Sequence, residues 1–197
     1  MRKTENMEKN IFDFNYENTP EGWIYIKDDK SRYILGQPGE RNLVIVGLNP
    51  SNATPQKPDP TIKKVKKIAE LENMDGWIMI NLYPIKETYP PNLPKNADEE
   101  LISKNLSMIA WLKKNVEIEK IYASWGCNIK RRKYLVEQCQ KIAEIMDENL
   151  WYIKGMTKSG HPRHPSRIGY NVEMEKFDVK DYLKKYIELK SYCNRSC

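Results

Sequence analysis

Leu43-Val-Ile-Val-Gly-Leu48, followed by Asn49-Pro50-Ser51, decides how the chain is read. The first six residues are apolar without alternation. A strand with one wet face alternates, so this pattern fits a strand covered on both faces, as in a parallel sheet. Pro50 ends the run and holds Asn49 out of the helical region. The stretch therefore delivers a polar group just past the end of a buried strand.

Outward from it, the chain alternates. On the N-terminal side, Gln37-Pro-Gly-Glu40 is a turn, and Gly22–Ile26 with Arg32–Leu35 reads as a β-hairpin around Lys27-Asp-Asp-Lys30. On the C-terminal side, the pattern predicts a loop over Asn49–Pro60 and a helix over Thr61–Glu72. That helix carries Ile62, Val65, Ile68 and Ala69 on one face and Lys63, Lys64, Lys66 and Lys67 on the other. Strands are expected at Trp77–Tyr83, Lys120–Trp125 and Leu150–Lys154, with helices at Ala97–Asn115, Lys130–Glu148 and Asp178–Tyr192. Strands separated by helices imply a parallel sheet with helices on both faces. The expectation is a single α/β domain over residues 21–192, a three-layer α/β/α sandwich. Its central sheet is four-stranded and mostly parallel, with an added N-terminal β-hairpin. A polar lead-in over residues 1–20 and a tail over residues 193–197 flank it. Ligands in such sheets bind outside the carboxyl ends of the strands. The loops there are 49–60, 81–94, 126–130 and 155–171.

The 197 residues suit one domain, and 40% hydrophobic with 30% charged residues is enough apolar material for a core. No run approaches the roughly 20 apolar residues of a membrane span, and Met1-Arg-Lys-Thr-Glu-Asn6 leads into no hydrophobic segment. A cytoplasmic protein with no membrane partner is expected. The four cysteines, Cys127, Cys139, Cys193 and Cys197, have no metal-site spacing, so reduced thiols and no bound metal are expected. No P-loop, GxGxxG, GxSxG or HExxH occurs, which disfavours kinase, dehydrogenase, esterase and protease chemistry. No cofactor is expected.

Charge is segregated. Lys plus Arg is 33 against 27 Asp plus Glu, a formal +6. Three stretches, Lys57–Lys67, Lys130–Lys133 and Lys154–Arg167, each carry +4, which leaves −6 on the remainder. That fits either three solvated faces or a surface for a polyanion. The Lys130-Arg131-Arg132-Lys133 cluster opens an expected helix, where the macrodipole disfavours cations, and this favours a binding role. Lys63, Lys64, Lys67, Lys130, Arg131, Arg132, Lys158, Arg163 and Arg167 are the candidate nucleic-acid contacts.

Four segments end the strands: Gly47-Leu-Asn-Pro-Ser51, Ile80-Asn-Leu-Tyr83, Ser124-Trp-Gly-Cys127 and Gly160-His-Pro-Arg-His-Pro-Ser166. Asn49 reads as a turn-former or as a polar group for catalysis. Asn81 closes an apolar strand, where a buried amide must find a partner, either local backbone or a ligand. An amide offers donor and acceptor together, which suits a nucleobase edge. His161 and His164 are the only histidines, both in one Gly/Pro loop, and histidine handles protons near neutral pH.

These segments resemble two families. Arg32-Tyr33, Leu48-Asn-Pro-Ser51, Asp59-Pro-Thr-Ile62, Asn81-Leu82, Trp125-Gly126 and Gly160-His-Pro-Arg-His-Pro165 resemble the uncharacterised bacterial and phage domain-of-unknown-function family 1643. More distantly, Gly47-Leu-Asn-Pro50, Asn81, Trp125-Gly126 and His164-Pro-Ser166 are similar to the motifs of the uracil-DNA glycosylase superfamily. That resemblance implies an enzyme that hydrolyses the N-glycosidic bond of a damaged or modified base in nucleic acid, DNA above RNA; a monomer is expected. Asn49 would position the attacking water, and His164 would stabilise the departing base. Gly47, Pro50, Ser51, Asn81, Tyr83, Trp125, His161 and Ser166 would line the base or ligand site. Ile168 falls where the superfamily places an apolar wedge that fills the duplex after base flipping. The first loop lacks the aromatic on which the superfamily stacks the base, so Tyr83 or Tyr89 is the candidate there. The alternatives are a non-catalytic nucleic-acid or nucleotide binder of the same fold, or an enzyme acting on a free nucleotide.

Overall fold

The computed structural model describes residues 20–193. All but the last residue of the expected lead-in, and all but the first of the expected tail, lie outside them.

The strands fall close to where apolar runs predict them. In chain order they are β1 (Ile24–Lys27), β2 (Arg32–Gln37), β3 (Asn42–Gly47), β4 (Gly76–Asn81), β5 (Ile118–Ala123), β6 (Trp151–Ile153) and β7 (Glu175–Lys176). Among the described residues the helices are α1 (Pro60–Leu71), α2 (Glu99–Asn115), α3 (Lys133–Ile145) and α4 (Val179–Cys193). One sheet holds every strand, in the order β1-β2-β4-β3-β5-β6-β7. Its centre, β4-β3-β5-β6, is parallel. β3 and β4 are buried at every position, as the unalternating sequence requires.

The order reverses at β3. The chain steps from β3 to β4 in one direction, then across β3 to β5 and on to β6 in the other. Crossovers of one hand therefore place α1 on one face and α2 and α3 on the other. The core divides accordingly. Ile62, Val65, Ile68 and Ala69 of α1 pack with Leu43, Ile45, Trp77, Met79 and Tyr122. Helices α2, α3 and α4 pack with Val44, Val46, Ile78, Ile80 and Ile121 on the opposite face. The crevice at a reversal of this kind, outside the carboxyl ends of β3 and β5, is where an open α/β sheet binds its ligand.

The expected four-stranded parallel centre is present, and among the described residues three further strands extend the sheet to seven. Three other expectations are corrected. The hairpin is not an appendage, because β2 pairs antiparallel with β4 and extends the sheet, and β7 pairs antiparallel with β6 at the other edge. Two exposed residues, Glu175 and Lys176, carry no apolar signal by which β7 might be read. The third helix begins at Lys133. Residues Cys127–Arg131 form a 3-10 turn, and Arg132 is extended. Its guanidinium donates to the carbonyls of Pro91, Leu93 and Pro94, so the cluster is bent away from a helix start by a tie to the neighbouring loop. Lys154, counted above with the third basic stretch, is buried. Its Nζ lies 2.9 Å from Glu72 Oε1, and Glu72 also binds Lys120 at 2.9 Å. It contributes no charge to a surface.

Candidate functional site

A cleft of about 680 Å³ opens at the carboxyl ends of β3 and β5. Its floor is made of buried residues: Arg32, Gly47, Leu48, Ile62, Met79 and Trp125. Thr88, Lys158, Arg163, Ser166 and Arg167 form an exposed rim. Asn49, Ser51, Asp59, Cys127 and His164 line the walls.

Each wall residue is fixed locally. Asn49 follows the last residue of β3 by two, and its Nδ2 donates to the carbonyls of Glu87 (2.6 Å), Pro50 (3.3 Å) and Ile85 (3.4 Å). The donor end is thus held by loop backbone, and Oδ1 is the end available to the cleft. Asp59 caps α1, accepting from the Ile62 N–H with Oδ1 (2.8 Å) while Oδ2 accepts from the Ser51 hydroxyl at 2.7 Å. Pro60 occupies the first helical position, where a missing N–H costs nothing.

The loop carrying His164 folds back on itself. Thr157 N–H donates to His161 O, Arg163 N–H to Gly155 O, and Gly126 N–H to Pro162 O. Gly126 has φ 69, a left-handed conformation suited to glycine. A Cβ there would sit 3.9 Å from His164 Cβ, so this turn brings the end of β5 against the histidine. His164 in turn caps the 3-10 turn Pro165–Arg167. Its Nδ1 accepts from the Ser166 N–H (3.3 Å) and lies 2.8 Å from the Ser166 hydroxyl. A nitrogen that accepts from an amide carries no proton, so the neutral ring holds its proton on Nε2. Burial pushes the His164 pKa below its ordinary value. Asp59 opposes that shift, and Arg167 and Lys64 add to it. The ring therefore stays neutral at neutral pH and presents an N–H donor.

His161 has a different surrounding. It is 3% exposed and does not line the cleft. Its Nδ1 is 2.9 Å from the Tyr182 hydroxyl, which accepts from Trp125 Nε1 at 3.2 Å. Burial and the nearby Lys130 lower the His161 pKa. Tyr83 is also in the core, its hydroxyl accepting from the Asp98 N–H and its ring 4.8 Å from that of Tyr134. Pro50 is buried and does not line the cleft.

Asn81 is 1% exposed, and neither end of its amide has a partner among the described residues. It pairs in register with Gly47, and a Cβ on Gly47 would stand 2.7 Å from Asn81 Oδ1 and 3.0 Å from Met79 Cε. Glycine is required there because the amide of Asn81 lies directly against that backbone. Met79, two residues earlier on the same face of β4, lines the cleft, as does Gly47.

Of the candidate nucleic-acid contacts, Lys158, Arg163 and Arg167 line the cleft. Lys63 and Lys67 are exposed on the outer face of α1, and Lys67 pairs with Glu70 at 3.0 Å. Lys64 donates to Ile168 O and stands 5.2 Å over the ring of Tyr170. Lys130 and Arg131 are exposed on the 3-10 turn, where Arg131 Nε donates to Asn128 Oδ1, while Arg132 is spent on the loop carbonyls. Ile168 is the residue expected as a wedge. It is 6% exposed and packs among Ala53, Ile62 and Val65, so it cannot enter a duplex without leaving the core.

The sequence reading missed Arg32, Cys127, Met79 and Thr157 as cleft residues and gave Asp59 no role there. Arg32 and Asp59 carried a signal, since both belong to the quoted family pattern. The Cys127 thiol is pulled below its ordinary pKa by hydrogen bonding with Ser159 and Thr157. Among the described residues no group of three or more His, Cys, Asp or Glu is placed to hold a metal. No helix among them is long and apolar enough to cross a membrane.

The family model described as "Protein of unknown function (DUF1643)" matches residues 32–166. The chain belongs to this family. The match begins at Arg32 on the cleft floor and ends at Ser166 beside His164, so it covers every cleft residue but Arg167. No curated protein and no solved structure matches the chain.

Proposed function

We propose that this DUF1643 protein is a glycosylase-like enzyme that hydrolyses the N-glycosidic bond between a nucleobase and its sugar. The observation that carries the reading is the pairing of two oriented groups in one cleft: Asn49, with its acceptor end available, and a neutral His164 whose Nε2 holds the proton. Asn49 Oδ1 accepts from a water and aims its oxygen at the anomeric carbon. The C–O bond forms as the C–N bond breaks, and the base leaves with the bonding pair. The His164 N–H meets the negative charge that develops on the base. The sugar gains oxocarbenium character, and Asp59, its oxygens held by the α1 cap and by Ser51, acts on it through its charge across the cleft and not by contact. The water's proton passes to solvent.

The test is base release from oligonucleotides and nucleotides carrying uracil, deaminated purines, alkylated bases and modified pyrimidines. Asn49→Ala and His164→Ala are each expected to lower kcat by about 10²–10³-fold, the range for removing one oriented polar group. Full activity in both variants refutes the assignment.

A second reading, an enzyme acting on a free nucleotide, is favoured by one observation. The wedge position Ile168 is buried, so the residue that would hold a duplex open is not presented. On that reading free nucleotides release base and duplex substrates do not.

A further inference from the structure

Among the described residues, Arg32 is a buried cation without an ion-pair partner. It stands at the start of β2, 1% exposed, and lines the cleft. Nη1 donates to Ala53 O at 2.9 Å, while Nε is buried with no hydrogen-bond partner. Asp59 is the carboxylate whose field reaches it, but both Asp59 oxygens are occupied, one by the helix cap and one by Ser51. A buried guanidinium ordinarily sits in a paired and fully bonded site, because desolvating an unpaired charge costs several kcal/mol. The charge is also not lost to deprotonation. Burial lowers the Arg32 pKa only to about 10, well above neutrality. The other cleft cations, Lys158, Arg163 and Arg167, are on the exposed rim, where a phosphate passing over the mouth would meet them.

We propose that Arg32 is the anion-binding residue of the cleft, and that the part of the ligand reaching the floor carries a phosphate oxyanion. A planar fork with an unused N–H suits two phosphate oxygens. This deepens the free-nucleotide reading above and rests on it. A nucleotide would enter with its phosphate on Arg32 and present its glycosidic bond to Asn49 and His164 on the walls.

The experiment is calorimetric titration with thermal denaturation, at fixed ionic strength. The probes are inorganic phosphate, nucleoside 5′-monophosphates, the matching nucleosides and dinucleoside monophosphates. Monophosphates are expected to bind at least tenfold more tightly than nucleosides. Arg32→Met is expected to abolish that difference while melting at or above the wild-type temperature, since it removes an unpaired buried charge. Arg32→Lys keeps charge without the fork and is expected to bind the monophosphates at intermediate strength. It also serves if Arg32→Met does not fold. Dinucleoside monophosphates separate the sources. Tight Arg32-dependent binding of the diester assigns the oxyanion to a nucleic-acid strand, and binding of monoesters alone assigns it to a free nucleotide. Equal affinity for nucleosides and monophosphates, or unaltered monophosphate binding in both variants, overturns the proposal. So does a large fall in melting temperature with binding intact, which would make Arg32 a strut for the Ala53 loop. Base release is scored separately. Release that does not depend on Arg32 refutes this inference alone, and Arg32-dependent binding without release refutes the glycosylase reading alone.

Discussion

His161 and His164 stand three residues apart in unlike surroundings. The sequence shows two histidines in one Gly/Pro loop and cannot say which faces the cleft. The answer depends on Tyr182 and Trp125, from α4 and the end of β5, whose hydroxyl and indole take His161 into the core. Asn81 stands out in the sequence for the opposite reason, since an amide at the end of an apolar strand is conspicuous whatever surrounds it, but it does not line the cleft. Both histidines have pKa values below the ordinary 6.5. The unfolded chain therefore binds protons more readily than the folded one. Their contribution to stability is complete above about pH 6.5 and is lost as pH falls below it toward the folded values. Denaturant unfolding at pH 7.5 and pH 5.5 is expected to show a loss of stability on acidification, smaller in His161→Phe than in the wild type. An equal loss in the variant would place the titration elsewhere.

At the scale of elements, α1 shows how much of the site was written in local sequence. Asp59-Pro60 is a helix start by side-chain chemistry alone, and the apolar stripe of Ile62, Val65, Ile68 and Ala69 packs as its spacing requires. What sequence could not show is that the cap also ties the β3 loop through Ser51. Asp59→Ala is expected to cost about 1 kcal/mol from the lost cap, measured by urea unfolding. Asp59→Asn keeps a capping oxygen and is expected to cost less while still lowering activity. Equal activity in Asp59→Asn and wild type would remove the carboxylate from the mechanism. The other end of α1 is anchored by charge. Burial pushes the Glu72 carboxyl up, and the hydrogen bonds from Lys154 and Lys120 more than offset this, so its pKa lies below the ordinary value. Glu72→Ala strands Lys154, 2% exposed, and is expected to cost about 3–5 kcal/mol, whereas Lys154→Met is expected to be near neutral. A larger loss in Lys154→Met would show that the ion pair itself stabilises the fold. No local pattern announces this network, because its members come from three distant segments. Arg132 was misread on the same ground, since its partners are carbonyls about 40 residues away.

Across the whole molecule, the parallel sheet and its crevice followed from alternation of strands and helices, but charge did not follow from counting. The three basic stretches look equivalent in sequence. In the structure one loses Lys154 to the core and another commits Arg132 to a loop, so the cations that meet the cleft are Arg32 on the floor and Lys158, Arg163 and Arg167 on the rim. The outer face of α1, with Lys63 and Lys67, is a separate surface. If the rim receives the backbone of a single strand, binding of a short single-stranded oligonucleotide should weaken with salt. Each phosphate contact adds about 0.7 to the slope of log affinity against log salt. Replacing Lys158, Arg163 and Arg167 together with Gln is expected to reduce that slope by about 2, while Lys63→Gln with Lys67→Gln changes it little. A larger loss from the α1 pair would move the polyanion path to the helix. A slope unaffected by either set would leave the excess positive charge as ordinary solvated surface and favour a small ligand held by Arg32.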